Sequence, residues 1–221
     1  MTSNLTRERT RLYLVTPPRI DDIDSFIGKF EAAIEGGDIA SLQVRMKQGD
    51  AIDTAQTRQV AQAVQPLCQA NEIALFINDS PQLCDALEAD GVHLGLDDMD
   101  IKLARDIVGP DVIIGATCQT SRHNAMVAGE AGADYVAFGA FFPSETKPDA
   151  KRAESDVLTW CQMFLTLPCV AIGGITVHNA APLIAAGADF IAVSNGVWTH
   201  PDGPAAAVAM FNQLIDQEMP D

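Results

Sequence analysis

The sequence predicts an α/β fold, a single (β/α)8 TIM barrel spanning residues 1–221. Three observations predict it. Short apolar, β-rich runs alternate about eight times with amphipathic stretches of helical period. The runs are continuously apolar, as in strands of a parallel sheet buried on both faces. A turn motif also recurs where a helix ends and the next strand begins. An open doubly wound sheet shares the first two features and stands as the rival. No Pro- or Ser-rich linker divides the chain, and residues 1–10 are expected to form a loose N-terminal segment.

In chain order, strands are predicted at Leu12–Val15, Leu42–Met46, Ile73–Ile77, Gly91–Leu94, Val112–Ala116, Tyr135–Phe138, Cys169–Ile172 and Phe190–Val193. Core-facing helix positions are read at Phe26, Phe30 and Ile34, at Val60, Val64 and Leu67, at Leu103 and Ile107, and at Leu158, Cys161 and Phe164. The recurring turn is Ala131-Gly-Ala-Asp134 before Tyr135, and Ala186-Gly-Ala-Asp189 before Phe190. Glu88-Ala-Asp-Gly91 is a weaker copy. In each, a glycine is expected to supply the left-handed turn that ends the helix.

Composition narrows the partners. With 221 residues, 48% of them hydrophobic, the chain can bury a full core, which excludes a disordered or disulfide-stapled protein. A formal charge of −16 disfavours nucleic acid and anionic membranes as partners. A small anionic substrate would need a local cluster of cations or backbone N–H groups. The five cysteines are odd in number and lack CxxC spacing, so reduced thiols and a cytoplasmic location are expected. No signal peptide is read at the start, and no apolar run reaches the roughly 18 residues of a membrane span. A homo-oligomer is left open.

In a barrel, function sits at the C-terminal ends of the strands. After the second run, Gln43, Arg45 and Lys47 fall at i, i+2 and i+4, a spacing that shares one strand face. They point to an anion, or form a surface salt-bridge pair. Asn78-Asp79 follows the third run, and Asp98 follows the fourth. Asp79 and Asp98 could share a magnesium ion, or each could cap a helix. Asp97 is read as solvent-facing. After the sixth run, Ser144, Thr146 and Lys147 suit a phosphate, or a Pro-initiated turn. Gly173-Gly174 and Ser194-Asn195-Gly196 follow the seventh and eighth runs, where barrels often bind phosphate through backbone N–H groups; plain turn chemistry is the alternative. His93 reads as a hydrogen-bonded core histidine, Cys118 as structural for want of a nearby base in sequence, and Trp198 as rim packing.

These pieces, in this order, resemble the thiamine phosphate synthase family. The resemblance runs from Leu12-Tyr-Leu-Val-Thr16 to the C-terminal helix. It rests on Gln43-Val-Arg-Met-Lys47, Asn78-Asp79, Ala89-Asp-Gly-Val-His-Leu-Gly95 with Asp98, Pro143-Ser-Glu-Thr-Lys147, and Ala171-Ile-Gly-Gly-Ile-Thr176. It implies a transferase that joins an aminopyrimidine pyrophosphate to thiazole phosphate. By position it implies that Gln43, Arg45, Lys47, Asn78, Thr117 and Lys147 hold the first substrate. Mg²⁺ would sit on Asp79 and Asp98. Ser144, Thr146, Gly174, Ser194 and Asn195 would hold the second substrate, and Arg45, Lys47 and Lys147 would be the catalytic cations. Leu96, Gln119, Ala140 and Asn195 depart from the family's usual residues. A thiazole tautomerase relative would use a histidine where Gln119 stands. A non-catalytic phosphate-ligand binder on the same barrel is the other rival.

Overall fold

The structure is a computed structural model that describes residues 7–48, 51–96, 98–143 and 151–219. The chain runs β1 (Arg11–Val15), α1 (Ile23–Glu35), β2 (Ser41–Val44), a short ribbon of β3 (Lys47–Gln48) and β4 (Ala51–Ile52), then α2 (Thr54–Ala70), β5 (Ala74–Asn78) and α3 (Pro81–Ala86). It continues through β6 (Gly91–Leu94), α4 (Ile101–Val108), β7 (Ile113–Gln119), α5 (Arg122–Ala131) and β8 (Tyr135–Phe138). After these come α6 (Asp156–Phe164), β9 (Cys169–Ile172), α7 (Ala181–Ala186), β10 (Phe190–Val193), α8 (Asn195–Trp198) and α9 (Gly203–Glu218).

The parallel strands close in the order β1, β2, β5, β6, β7, β8, β9, β10. The closing pair runs in register from Arg11 opposite Phe190 to Leu14 opposite Val193. Closure excludes the open sheet and gathers all eight C-terminal strand ends on one rim. Among the described residues, no helix is long and apolar enough to cross a membrane.

The continuous apolar runs are explained by two separate cores. Leu12, Leu14, Leu42, Val44, Leu75, Ile77, Val92, Leu94, Val136 and Phe138 point outward and pack under the helices. The alternate positions, including Tyr13, Val15, Phe76, Tyr135, Ala137, Val170 and Ala192, fill the barrel interior. Large rings there are matched by glycines on neighbouring strands. A Cβ on Gly115 would lie 1.9 Å from Cζ of Tyr135, and one on Gly91 would lie 2.2 Å from Cε1 of Phe76. The interior has room for the rings only because those two positions carry no side chain.

Several expectations need correction. The second strand ends at Val44, so Gln43, Arg45 and Lys47 do not share one strand; Lys47 belongs to the ribbon, where it pairs with Ile52. The fifth barrel strand runs on to Gln119, with a register shift between Thr117 and Gln119 against β8. Leu103 and Phe164 are exposed rather than core-facing. Helix α4 turns Ala104 and Val108 inward instead, and α6 turns Val157 inward beside Leu158 and Cys161, which face the core as expected. Phe164 lies outside against Trp160, with ring centroids 6.1 Å apart.

The recurring turn has a mechanism the sequence does not spell out. Gly132 and Gly187 end α5 and α7 in the left-handed region, as expected. In the weaker copy that conformation falls on Glu88 (φ 51°), whereas Gly91 lies in the strand. The aspartates are the constant part. Asp90, Asp134 and Asp189 accept the backbone N–H of Leu75, Ile114 and Cys169, each at 2.7 Å. Each carboxylate thus ties the start of its own strand to a neighbouring strand.

Of the N-terminal segment expected to be loose, residues 7–10 are described, and they are anchored. Arg7 donates to the carbonyls of Ile184 and Ala188, and the fully buried Thr10 hydroxyl donates to Ala188 at 2.7 Å. Residues 7–10 therefore close the bottom of the barrel. At the other end, Trp198 donates from Nε1 to the Val15 carbonyl at 2.7 Å and packs on Phe26. Trp198 packs at the rim, as the sequence reading held.

Candidate active site

The rim is knotted by Thr16, one residue beyond β1. Its N–H donates to the Gln43 carbonyl, its hydroxyl accepts from the Arg45 N–H at 2.9 Å, and its carbonyl accepts from the Ser194 hydroxyl at 3.2 Å. One buried threonine thus ties together the ends of β1, β2 and β10. Next to it, Gln43 donates from Nε2 to Asn78 Oδ1 at 2.9 Å, and both side chains are buried. The pair still holds an acceptor on Gln43 and a donor on Asn78, a matched set for a planar heterocycle.

Beyond them sit the charges. Lys47 Nζ lies 2.7 Å from Asp79 Oδ2, with the side chains 19% and 5% exposed. This burial separates the pair from the surface salt bridge that the sequence also allowed. The ribbon delivers Lys47 to the rim: its N–H donates to the Pro18 carbonyl, and Asp53 N–H closes back on Met46. Asp79 holds a left-handed conformation at φ 60°, uncommon outside glycine and recurrent at functional sites. Its N–H is fixed by the His93 carbonyl at 2.8 Å.

Helix capping does not explain the two acids. Ser80 caps α3 by accepting from Leu83, and Asp100 caps α4 by accepting from Lys102 and Leu103. Asp79 and Asp98 are left for other work. The Asp98 carboxyl is pushed above its ordinary range by burial and by the neighbouring Asp79 carboxyl, while the Gly95 N–H and Lys47 oppose the shift. Two carboxylates thus compete for charge in one place. Arg45 is close by. Burial pulls its guanidinium below the ordinary range, and Asp79 and Asp98 act against that pull.

This donor set fits a hard divalent cation such as Mg²⁺. Asp79 Oδ2 is buried and accepts no aligned hydrogen bond, Lys47 being a charge contact only. Among the described residues no cluster of three or more histidine, cysteine or acidic ligands exists. Two carboxylates on a rim suit an ion that keeps waters and takes the rest of its shell from substrate phosphates.

Thr117 points inward from β7 and accepts or donates at His93 Nε2, 2.8 Å away. His93 Nδ1 lies 2.8 Å from the Tyr135 hydroxyl, which lies 2.9 Å from the Tyr13 hydroxyl. His93 is thus a hydrogen-bonded core histidine, as read. Cys118 is buried and burial pushes its thiol up to about 12, which removes it as a nucleophile. Gly174 lies at φ 63°, where a Cβ would meet the Pro143 carbonyl oxygen at 2.3 Å. Its carbonyl accepts from Asn179, whose own side chain accepts from the Thr176 N–H at 2.8 Å. Ser194 and Asn195 open the one-turn helix α8 at the end of β10, so their N–H groups lie outside the strand ladder. Ser144, Thr146, Lys147 and Asp97 lie outside the described residues. Of the departures, Leu96, Gln119 and Asn195 are all exposed, and Gln119 takes φ 51° at the strand end.

Sequence reasoning missed Thr16, Tyr13 and Tyr135 as polar parts of this end of the barrel. For the two tyrosines, a hydroxyl at the inward parity of an apolar run was the available signal. It also missed a cleft of about 530 Å³ on the flank of the mouth, lined by Pro18, Arg19, Ile20, Asp21, Lys47 and Gln56.

The model of the thiamine monophosphate synthase family matches residues 12–197. That span covers every described strand except Arg11, the first residue of β1, and every described site residue. The chain belongs to the thiamine monophosphate synthase family. Among its synthase relatives, thiamine-phosphate synthase of Hyphomonas neptunium is 56% identical over 95% of this chain and 96% of its own length. That of Rhodospirillum centenum is 53% identical over 93% and 97%. Among solved structures, thiamine phosphate pyrophosphorylase from Pyrococcus furiosus superimposes with a TM-score of 0.82 at 29% identity, covering 95% of this chain and 96% of that one.

The buried imidazole makes a prediction for this synthase-family barrel. Burial drives His93 from 6.5 down to about 4; Asp98 opposes the shift and Arg45 adds to it. The unfolded chain therefore takes up a proton at His93 that the folded chain refuses. Stability from this residue is present above pH 6.5 and falls as pH drops toward 4, by about 3 kcal/mol in all. Urea unfolding at pH 7 and pH 4.5 should show a smaller acid loss in His93→Gln than in wild type. Equal losses would mean that His93 does not carry the effect. Asp98, being raised, contributes with the opposite sign near its own titration.

Proposed function

We propose that the protein joins an aminopyrimidine pyrophosphate to thiazole phosphate, forming thiamine phosphate and releasing pyrophosphate. One observation carries the reading: Lys47, Asp79, Asp98 and Arg45 converge at the mouth beside the Gln43–Asn78 pair. A charge of −16 makes two cations held inward at one rim chemically specific. With a divalent ion on Asp79 and Asp98, the two cations would be left in need of an anion, and a pyrophosphate would supply it.

In this reading Gln43 and Asn78 read the edge of the pyrimidine, and Thr117 sits beside it. Asp79 and Asp98 would hold Mg²⁺, which when bound supplies positive charge to the pyrophosphate oxygens. Arg45, Lys47 and Lys147 stabilise the negative charge that grows on the leaving oxygen. The bond from the exocyclic methylene carbon to that oxygen breaks, and its electron pair leaves with pyrophosphate. The ring-stabilised cation then accepts the lone pair of the thiazole nitrogen, forming the new C–N bond. That nitrogen has no proton to lose, so no general base is required. Ser144, Thr146, Gly174, Ser194 and Asn195 would fix the thiazole phosphate and so hold its nitrogen against the carbon.

The test is to incubate the purified protein with both substrates and Mg²⁺, with an EDTA control, and assay thiamine phosphate. Metal-dependent product is expected. Tight substrate binding without product would instead identify a binder. Lys147→Ala is expected to lower turnover about a hundredfold with little change in unfolding midpoint. Wild-type turnover in that variant would remove Lys147 from the mechanism.

A further inference from the structure

Below the charged rim a line of polar side chains crosses the apolar barrel interior. Tyr13, Tyr135, His93 and Thr117 are linked by contacts of 2.9, 2.8 and 2.8 Å. Tyr13, Tyr135 and His93 are buried, and only Thr117 is half-exposed, at the mouth. Three of these groups are hydroxyls, each with one proton, and a neutral imidazole carries one more. The order of the protons along the line is therefore a question with few answers.

If the protons point toward the floor, Thr117 donates to Nε2, Nδ1–H donates to Tyr135, and Tyr135 donates to Tyr13. The Tyr13 proton then has no acceptor among the described residues: its hydroxyl meets only Tyr135, and the buried Ser41 hydroxyl makes no hydrogen bond. If they point toward the mouth, Tyr13 donates to Tyr135, Tyr135 donates to Nδ1, and Nε2–H donates to Thr117. Every buried proton is then satisfied, and the one left over is the Thr117 hydroxyl proton, which faces the only open end. Buried donors are almost always paired, so the second order is the stable one. A charged imidazole would again strand the Tyr13 proton, so the same pairing rule disfavours it.

We infer that Tyr13, Tyr135 and His93 form a proton-ordered line that leaves the Thr117 hydroxyl proton free at the mouth, to be donated to an unprotonated ring nitrogen of the pyrimidine. The ligand half of this inference rests on the proposed function; the order of the line does not. Tyr13, Tyr135 and His93 are positioning residues, since they act through Thr117. The line leaves the Thr117 proton unspent, so a lone-pair acceptor at that place gains a hydrogen bond that the buried groups do not compete for.

Nitrogen-15 NMR of the labelled, ligand-free full chain tests the order, with His93 assigned by its loss in His93→Gln. A proton on Nε2 and a bare Nδ1 are expected; a proton on Nδ1 overturns the inference. This reading is made on wild type, so a variant that fails to fold leaves it intact. In steady-state assays, Tyr135→Phe and Thr117→Val should each raise KM for the pyrimidine pyrophosphate about tenfold and leave KM for thiazole phosphate unchanged. Thr117→Ser, which restores the hydroxyl, should return KM to near wild type. Unchanged pyrimidine KM in Thr117→Val, or equal rises for both substrates, overturns the assigned role. A wild type that forms no thiamine phosphate overturns the functional reading and the ligand with it, and the NMR arm still decides the order.

Discussion

Asp79→Asn is expected to lower turnover by about a thousandfold while the barrel stays folded. Asparagine is the informative replacement because it tolerates the left-handed backbone that Asp79 occupies at φ 60°, so charge is removed without adding strain. The loss has two sources. Lys47 loses the partner that holds it at 2.7 Å, and Asp98 becomes the single carboxylate of the pair. Unfolding free energy should change by no more than about 2 kcal/mol, because the lost ion pair is offset by relief of the Asp79–Asp98 conflict. Two further readings separate charge from shape. Calorimetry should show weaker Mg²⁺ binding, and the Asp98 carboxyl, which Asp79 helps hold high, should titrate lower. Wild-type turnover together with wild-type metal affinity would take Asp79 out of the site.

Gly115→Ala should have the largest effect on stability of any single methyl group added to the interior, about 4 kcal/mol. The added Cβ would sit 1.9 Å from Cζ of Tyr135 and 2.3 Å from its hydroxyl oxygen. The ring cannot give way cheaply. It is buried against Phe76 and Tyr13, with centroids 5.8 and 6.1 Å away, and its hydroxyl bridges Tyr13 and His93. Shifting it adds overpacking strain and breaks two buried hydrogen bonds. Urea unfolding would register the loss as a lower midpoint with an unchanged slope. An unchanged midpoint would mean that the interior is loosely packed around Tyr135. Tyr135→Phe in the same background should cost less than it does in wild type, because the bonds it removes are already broken.

The fold was largely legible because a buried parallel strand and an amphipathic helix have different periods, and eight repetitions leave few architectures. The errors fall where one side chain could face two ways. Leu103 and Phe164 match helical spacing, yet α4 buries Ala104 and Val108 in place of Leu103, and α6 buries Val157 with the expected Leu158 and Cys161 while Phe164 stays outside. Glu88 takes a turn that glycine takes twice elsewhere, because the shared constraint at these turns is the carboxylate of Asp90, Asp134 or Asp189. The site was legible as a set of polar residues after strands, but its wiring was not. Lys47 fits the i, i+2, i+4 spacing with Gln43 and Arg45, yet it reaches Asp79 from a separate ribbon.

By itself, the sequence determined the alternation that makes a barrel, the family, and which residue types stand after each strand. These are local or near-local properties: periodicity, turn chemistry and motif order. Only the tertiary structure decided that Asp79 and Asp98 share one place rather than cap two helices. It alone placed Thr16 as the knot of three strand ends, and Tyr13, Tyr135 and His93 in one line beneath Thr117. Residues 122 positions apart, such as Tyr13 and Tyr135, meet only when the sheet closes, and closure sets which inward-facing groups become neighbours.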